Sequence, residues 1–301
     1  MAGKTVAALG LFDGVHLGHR RVLELALKRA ENGLKPVVFT FEPDSVLKKP
    51  TGSGGYIYSA EEKGRILENL GFESVFSPSF AELCSMTGED FAKKIIAGEL
   101  NASAVCCGRD FRFGRNASCG TDELREFGEK YGFEVCIAED VALDGDIVSS
   151  GKIRCLLAEG DISKANCLLG VPYAVSAEVV NGAALGRTIG FPTANQLFGE
   201  NQLVPKFGVY GGEVTIDGRD YPTMTNIGMK PTVNYGGMPL AETYICGFSG
   251  DIYGRTIQVR LLEFIRPEQK FGSVDELKKQ IAEDVKKAYN IRNINTALSH
   301  R

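Results

Sequence analysis

Short apolar, β-rich runs alternate with longer amphipathic stretches through the first half of the chain. Thr5 to Leu11, Pro36 to Phe41, Ser74 to Phe76, Ser103 to Cys107 and Phe133 to Ala138 read as strands. Between the first two, Leu17 to Asn32 sets Val22, Leu23, Ala26, Leu27 and Ala30 at helical spacing and stops at Gly33. Ser59-Ala60-Glu61-Glu62 has the form of a capping box, in which a Ser oxygen and a Glu carboxylate satisfy orphan donors, and predicts a helix from Ala60 to Leu70. Strands alternating with helices call for a parallel sheet with crossover helices. The glycine-rich segment from Lys49 to Tyr56 has no apolar period and reads as a loop able to order over a ligand.

The pattern changes after two short helical stretches, Lys152 to Ala158 and Ile162 to Leu169, so the domain boundary is drawn at Gly170-Val171, giving domains 1–170 and 171–301. Beyond it, Tyr173 to Val180, Gly208 to Ile216, Pro222 to Asn226, Glu242 to Cys246 and Gln258 to Phe264 are strands separated by Gly and Pro turns with no helices between them. A small antiparallel barrel closes such a set. A second capping box, Ser273-Val274-Asp275-Glu276, opens a helix to about Tyr289 whose Leu277, Ile281 and Val285 should pack on the barrel.

Composition narrows the class. The 301 residues are 44% hydrophobic and 24% charged, as in folded water-soluble domains. A net charge of −4 gives no overall field to attract nucleic acid. The first residues carry only a brief apolar run, broken by Asp13, and read as a strand rather than an export signal. The eight cysteines contain no C-x-x-C pair and read as free, mostly buried thiols in a reducing compartment.

The chain has three histidines, and two of them, His16 and His19, fall in the turn Gly10-Leu11-Phe12-Asp13-Gly14-Val15-His16-Leu17-Gly18-His19 at the start of the first helix. A helix N-terminus offers unpaired N–H groups and the positive end of the backbone dipole, both suited to phosphate. Gly14 and Gly18 leave room for a nucleotide, and the imidazoles can donate where charge grows in nucleotidyl transfer. Incidental histidines beside a cap, or a metal site completed by Asp13, are the competing readings. Gly108-Arg109-Asp110-Phe111-Arg112-Phe113-Gly114 follows the fourth strand, and Ser149-Ser150-Gly151-Lys152-Ile153-Arg154 opens a helix with groups suited to a triphosphate or with an ordinary Ser cap. Gly145 to Lys152 is not a P-loop: five residues separate its glycines, and Ile153 stands where Ser or Thr must hold magnesium.

In the second half, Gly186-Arg187-Thr188-Ile189-Gly190-Phe191-Pro192-Thr193-Ala194-Asn195 joins a glycine-containing loop to a Thr and an Asn two residues apart. If extended, both face one side and could ligate magnesium, though a polar turn would look the same. Glu242 at a strand start could accept a proton from an attacking hydroxyl, or could simply be a surface residue.

In order, FDGVHLGH, TFEPDSV, GRDFRFG, SSGKIR, GRTIGFPTAN, FGVY, NIGMKPT, AETY and IYGRTIQV closely resemble the bacterial bifunctional riboflavin kinase and FAD synthetase family, from about Ala8 to Tyr289. The resemblance implies a Rossmann-like α/β nucleotidyltransferase domain followed by a six-stranded antiparallel kinase barrel with a terminal helix. It implies phosphorylation of riboflavin to FMN and adenylylation of FMN to FAD with release of pyrophosphate, with ATP as co-substrate and Mg2+ as cofactor. Motif by motif, His16 and His19 take the catalytic α-phosphate role. Phe12, Asp13, Gly14, Gly18, Gly108, Ser149, Ser150 and Arg154 join them around the ATP to be transferred, and Pro43, Asp110 and Phe113 lie at the FMN. In the barrel, Gly186, Arg187, Gly190, Pro192, Thr193 and Asn195 hold ATP, Thr193 and Asn195 are the magnesium ligands, Glu242 is the general base, and Arg266 with Glu242 meets the flavin.

The sequence departs from the family pattern at Asp44-Ser45 (usually His-Pro), Gly151 (usually Ser or Thr) and Tyr244 (often His), so the kinase half follows the pattern more closely. The alternatives are a riboflavin kinase whose first half adenylates weakly and a non-catalytic flavin-binding protein. Expected partners are riboflavin, FMN, FAD and ATP, with no nucleic acid and no membrane, for a cytoplasmic monomer or weak oligomer.

Overall fold

The first five strands are β1 (Thr5–Leu9), β2 (Lys35–Phe39), β3 (Ser74–Phe76), β4 (Ala102–Gly108) and β5 (Glu134–Ala138) in a computed structural model that describes residues 4–31, 33–42, 55–182, 185–229 and 237–299. They form one parallel sheet in the order β3-β2-β1-β4-β5. All five residues of β1 are buried, as befits a central strand covered on both faces. Alternate residues serve opposite cores: Ala7 and Leu9 join Val37, Phe39 and Phe91, while Val6 and Ala8 join Val22, Leu23 and Leu67. Helix α1 (Leu17–Ala30) buries Val22, Leu23 and Ala26 as its spacing predicts. At α2 (Ala60–Asn69) the Ser59 hydroxyl accepts the Glu62 N–H at 3.1 Å.

Two further helical segments cover the other face. A π-helical stretch, Phe91–Glu99, buries Phe91, Ala92, Ile95 and Ile96, and α3 (Thr121–Tyr131) ends at Gly132 in the left-handed conformation. Helices α4 (Ser150–Glu159) and α5 (Ile162–Leu169) follow.

The second sheet is antiparallel and has six strands: β6 (Ala174–Glu178), β7 (Thr193–Leu197), β8 (Gly208–Ile216), β9 (Arg219–Met229), β10 (Pro239–Ile245) and β11 (Thr256–Arg266). Their order, β6-β11-β8-β9-β10-β7, is nearly closed into a barrel by a bridge between Val180 and Asn195. Its interior is partly polar. Gln196 Nε2 donates to the Ala177 and Ile257 carbonyls, both at 2.9 Å, across the closing seam, and the buried hydroxyls of Thr225 and Thr243 lie 3.0 Å apart. Most such groups are tolerated inside because they are paired, although Gln196 Oε1 and Thr223 Oγ1 are buried without a partner among the described residues.

Helix α6 (Val274–Ser299) runs about ten residues beyond the expected end and packs Ala288, Ile281 and Val285 against Val209 and Met224. At its start Glu276 N–H donates to Ser273 Oγ at 3.2 Å, while the Glu276 carboxylate accepts from Gly272 N–H at 2.9 Å. Midway, buried Asp284 accepts from Arg266 Nε at 2.9 Å, pinning the helix to β11. All eight cysteines are free; Cys106, Cys107, Cys136 and Cys246 are buried, whereas Cys84, Cys155 and Cys167 are exposed.

Contacts divide the chain into compact units Met1–Ser150 and Gly151–Arg301, so α5 falls with the barrel rather than before a boundary at 170/171. The side chain of Asn166 explains this: its Nδ2 donates to the Leu261 carbonyl at 2.9 Å and its Oδ1 accepts from Tyr173 N–H at 2.7 Å. Ile162, Ala165, Leu168 and Leu169 are buried as well. A fragment beginning at Gly151 is therefore expected to unfold cooperatively, while one beginning at Val171 loses that anchor and burial worth about 1.5–3 kcal/mol per large side chain. Thermal unfolding of the two fragments compares them; equal midpoints would remove α5 from the barrel's stability.

Candidate active sites

The turn between β1 and α1 carries unusual backbone. Phe12 and Val15 have φ of 51° and 40°, a region that disfavours side chains with a Cβ, and Gly14 sits at 83°. A Cβ on Gly14 would also lie 2.7 Å from Ile57 Cδ1, so the position needs glycine twice over. The turn is held from several sides. Buried Asp13 accepts Ile57 N–H on Oδ1 at 2.8 Å, and its carbonyl accepts the Ser150 hydroxyl at 2.9 Å. Asp13 thus serves the loop; among the described residues no cluster of three or more His, Cys, Asp or Glu could hold a metal.

His16 caps α1. Its Nδ1 accepts His19 N–H at 3.3 Å, which leaves the proton of a neutral ring on Nε2. The two imidazoles stack at 3.6 Å with 18° between planes, and Phe12 meets His19 edge-on at 5.4 Å. Burial first, then neighbouring His16 and Lys63, hold His19 well below the ordinary histidine pKa, so its ring is neutral at pH 7.

Lys63 is the residue that sequence reasoning missed. It lies on α2 and is 8% exposed, with Nζ donating to the Leu11 carbonyl at 3.3 Å and to Thr40 Oγ1 at 3.1 Å. Burial lowers its pKa to about 8, with Asp13 opposing the shift. In sequence it is one charge in Glu61-Glu62-Lys63, indistinguishable from a solvated helix face.

A cavity of about 650 Å3 opens at the carboxyl ends of β1 and β4, where the strand order reverses, the usual ligand crevice of open parallel sheets. Phe12, His16, Gly18, His19, Gly108, Asp110, Ser149 and Ser150 line it, so the structure brings together most of the residues expected around the nucleotide. Arg154 lies half-buried on α4 in the second compact unit. Adjoining is a second cavity of about 490 Å3 walled by Phe39, Phe41, Phe80, Phe91, Phe111 and Phe113. The Phe111 and Phe113 rings stack at 5.7 Å, and Phe39 meets Phe41 and Phe91 edge-on. Pro43, Asp44 and Ser45 fall outside the described residues.

The barrel has its own cavity of about 260 Å3, on the outer face beneath the start of α6. Register builds its polar wall: Glu242 on β10 pairs across with Asn226 on β9 and with Asn195 on β7, and Tyr244 pairs with Thr193. Directly paired residues share a face, so Thr193, Asn195, Asn226 and Glu242 lie on one side of the sheet. Gly186, Thr193, Glu242 and Arg266 line the cavity, as do Leu277 and Ile281 of α6. A Cβ on Gly186 would lie 2.3 Å from the Phe191 carbonyl, which closes the turn Leu185–Ile189 against the strand that follows. Gly190 and Pro192 sit exposed in that same connection, and Arg187 is within the helical turn. Asn195 is buried and not a lining residue; its Nδ2 donates to the Thr193 carbonyl at 3.3 Å.

Known proteins resemble this chain along nearly its full length. The FAD synthetase family model matches residues 1–152 and the riboflavin kinase model residues 169–292. The bifunctional riboflavin kinase/FMN adenylyltransferase of Escherichia coli is 37% identical, covering 93% of this chain and 90% of that protein. The enzyme of the same description from Bacillus subtilis is 36% identical, covering 95% and 92%. A crystal structure from Streptococcus pneumoniae, described as a macrolide-efflux protein, has a TM-score of 0.83 at 33% identity, covering 96% of this chain and 95% of that one. No helix among the described residues of this chain is long and apolar enough to cross a membrane. With both family models matched in order and relatives covered over at least nine-tenths of their length, the chain belongs to the bifunctional riboflavin kinase/FMN adenylyltransferase family.

Proposed function

We propose that the two reactions of the family are divided between the units, with FMN made at the barrel cavity and converted to FAD at the paired cavities of the parallel-sheet unit. The observation that carries the reading is the adjoining pair: a crevice at the helix N-terminus and strand switch point, suited to a nucleotide triphosphate, and beside it an aromatic cavity suited to a flat ring.

In adenylylation an FMN phosphate oxygen attacks the α-phosphorus of ATP, and the bond to the departing pyrophosphate breaks. His16 and His19 sit where they donate to the α-phosphate and leaving group as charge accumulates. The His19 ring, kept neutral chiefly by burial, donates without a full charge to desolvate. Phe12, Asp13 and Gly14 shape the loop, Gly18 and Gly108 admit the nucleotide, and Ser149, Ser150 and Arg154 are assigned to ATP by their motif. Phe113 walls the cavity given to the flavin, whereas Asp110, assigned to the flavin by its motif, lines the larger cavity.

In the kinase half Glu242 accepts the proton of the terminal ribityl hydroxyl as that oxygen takes the γ-phosphoryl group of ATP. Gly186, Arg187, Gly190 and Pro192 form the ATP loop, and Arg266 meets the flavin side. The neutral oxygens of Thr193 and Asn195, beside the Glu242 carboxylate, suit Mg2+, a hard cation that keeps several waters and binds few protein atoms. When bound, it neutralises and orients the phosphates being transferred. A monomer or weak oligomer is the state expected of such an enzyme. Free thiols and ATP use fit the cytoplasm, with no role for nucleic acid or membrane.

Incubating the protein with riboflavin, ATP and Mg2+ and resolving the flavins by chromatography tests the reading. FMN should form first and FAD after it. FMN alone would indicate a weak adenylyltransferase half, and unchanged riboflavin would indicate a flavin-binding protein.

A further inference from the structure

The two cavities of the first unit share four lining residues: Phe39, Phe41, Phe111 and Arg112. Three are uncharged rings, so the shared wall carries a single cationic side chain. If the ring system of FMN occupies the aromatic cavity and ATP the larger one, the FMN phosphate must lie at this wall, where it can reach the α-phosphorus. We propose that Arg112 is the residue that binds the 5′-phosphate of FMN and thereby selects FMN over unphosphorylated flavins for adenylylation; this rests on the assignment of the two cavities above.

The surroundings leave the guanidinium available. Arg112 is exposed, and no described carboxylate takes a hydrogen bond from it. Glu123 is the nearby acid, but its carboxylate accepts Gly120 N–H at 2.7 Å and is held below the ordinary range chiefly by that bond, with Arg112 adding a small pull. Gly120 keeps the position open, since a Cβ there would come within 3.1 Å of Arg112 Nη1. Backbone places the side chain at the seam. Phe113 pairs with Cys119 in a short antiparallel bridge, and the flanking Phe111 and Phe113 rings stack in the aromatic cavity. A planar guanidinium can take two oxygens of a phosphate at once, which a lysine cannot reproduce. It also offsets the repulsion between two anions that must approach within bonding distance.

The test follows FAD formation from supplied FMN and ATP by the full chain, with lumiflavin as competitor. Lumiflavin keeps the ring system and has neither phosphate nor a hydroxyl that the kinase could phosphorylate. In Arg112→Gln the KM for FMN should rise about tenfold to a hundredfold, the loss of hydrogen bonds to a charged group, while the KM for ATP and the inhibition constant of lumiflavin stay at their wild-type values. Arg112→Lys should recover part of the FMN affinity. Arg109→Gln, which removes a cation lining only the larger cavity, should leave FMN-over-lumiflavin selectivity as it is. An unchanged KM for FMN in Arg112→Gln, a parallel loss of lumiflavin inhibition, or an equal loss of selectivity in Arg109→Gln would overturn the assignment. If Arg112→Gln makes no FAD, the lysine variant decides: restored turnover with a raised KM for FMN supports the proposal, and a folded but equally inactive variant refutes it. A wild-type protein that makes no FAD from FMN fails at the underlying reading instead.

Discussion

Replacing both His16 and His19 by alanine is expected to abolish FAD formation while FMN formation continues at the wild-type rate. Each imidazole lost from a developing oxyanion should cost about 3 kcal/mol, on the order of a hundredfold in rate, and the pair about ten-thousandfold if the losses add. Residues that act as a unit fall short of additivity, so about ten-thousandfold is the upper bound on the loss in the double variant. One side effect needs separating from the chemistry. His16 Nδ1 caps α1, and losing a cap typically costs about 1 kcal/mol of stability. His16→Asn keeps an acceptor at that position and removes the ring, so it should hold the fold yet still lose adenylylation. Both reactions can be followed in one chromatogram. A parallel fall of FMN and FAD in a folded double variant would show that the histidines do not belong to one reaction alone.

Glu242→Gln is expected to give the reverse pattern: no phosphorylation of riboflavin, with adenylylation of supplied FMN intact. A positioned general base is worth about 10² to 10⁴ in rate, and the amide preserves the shape of the side chain. The cross-strand neighbours Asn226 and Asn195 can hydrogen-bond an amide as well as a carboxylate, so the row across β9, β10 and β7 should remain in register. The loss should then lie in kcat more than in the KM for riboflavin. FMN production near the wild-type rate would remove Glu242 from the mechanism.

What the sequence made legible was local. The parallel sheet could be read because β1, β2 and β4 are apolar runs with no competing helical period, and α1 because its stripe ends at Gly33. Thr121–Tyr131 carried a readable stop signal in Gly132 and acidic residues in its first turn, but its buried face is narrow, Leu124 and Gly128. Phe91–Glu99 buries Phe91, Ala92, Ile95 and Ile96 at i,i+4 spacing, but the segment is only nine residues long. Extending α6 past Tyr289 depended on Ile291 packing, a tertiary contact that no local rule supplies. The site shows the same division. His16, His19, Ser149 and Glu242 announced themselves in motifs, whereas Lys63 and Arg112 acquire meaning only from what faces them in space.

The pin between Arg266 and Asp284 has a consequence for biogenesis. The barrel cavity needs Gly186 at one end of its sequence and Ile281 of α6 at the other, so it cannot exist until the pinned helix has left the ribosome. The residues lining the cavities of the first unit run no further than Ser150. At the usual pace of translation, the residues separating Ser150 from Asp284 take on the order of ten seconds to add. If the first unit holds FMN as proposed and folds on its own, that interval is one in which a growing chain could bind the product of a half not yet made.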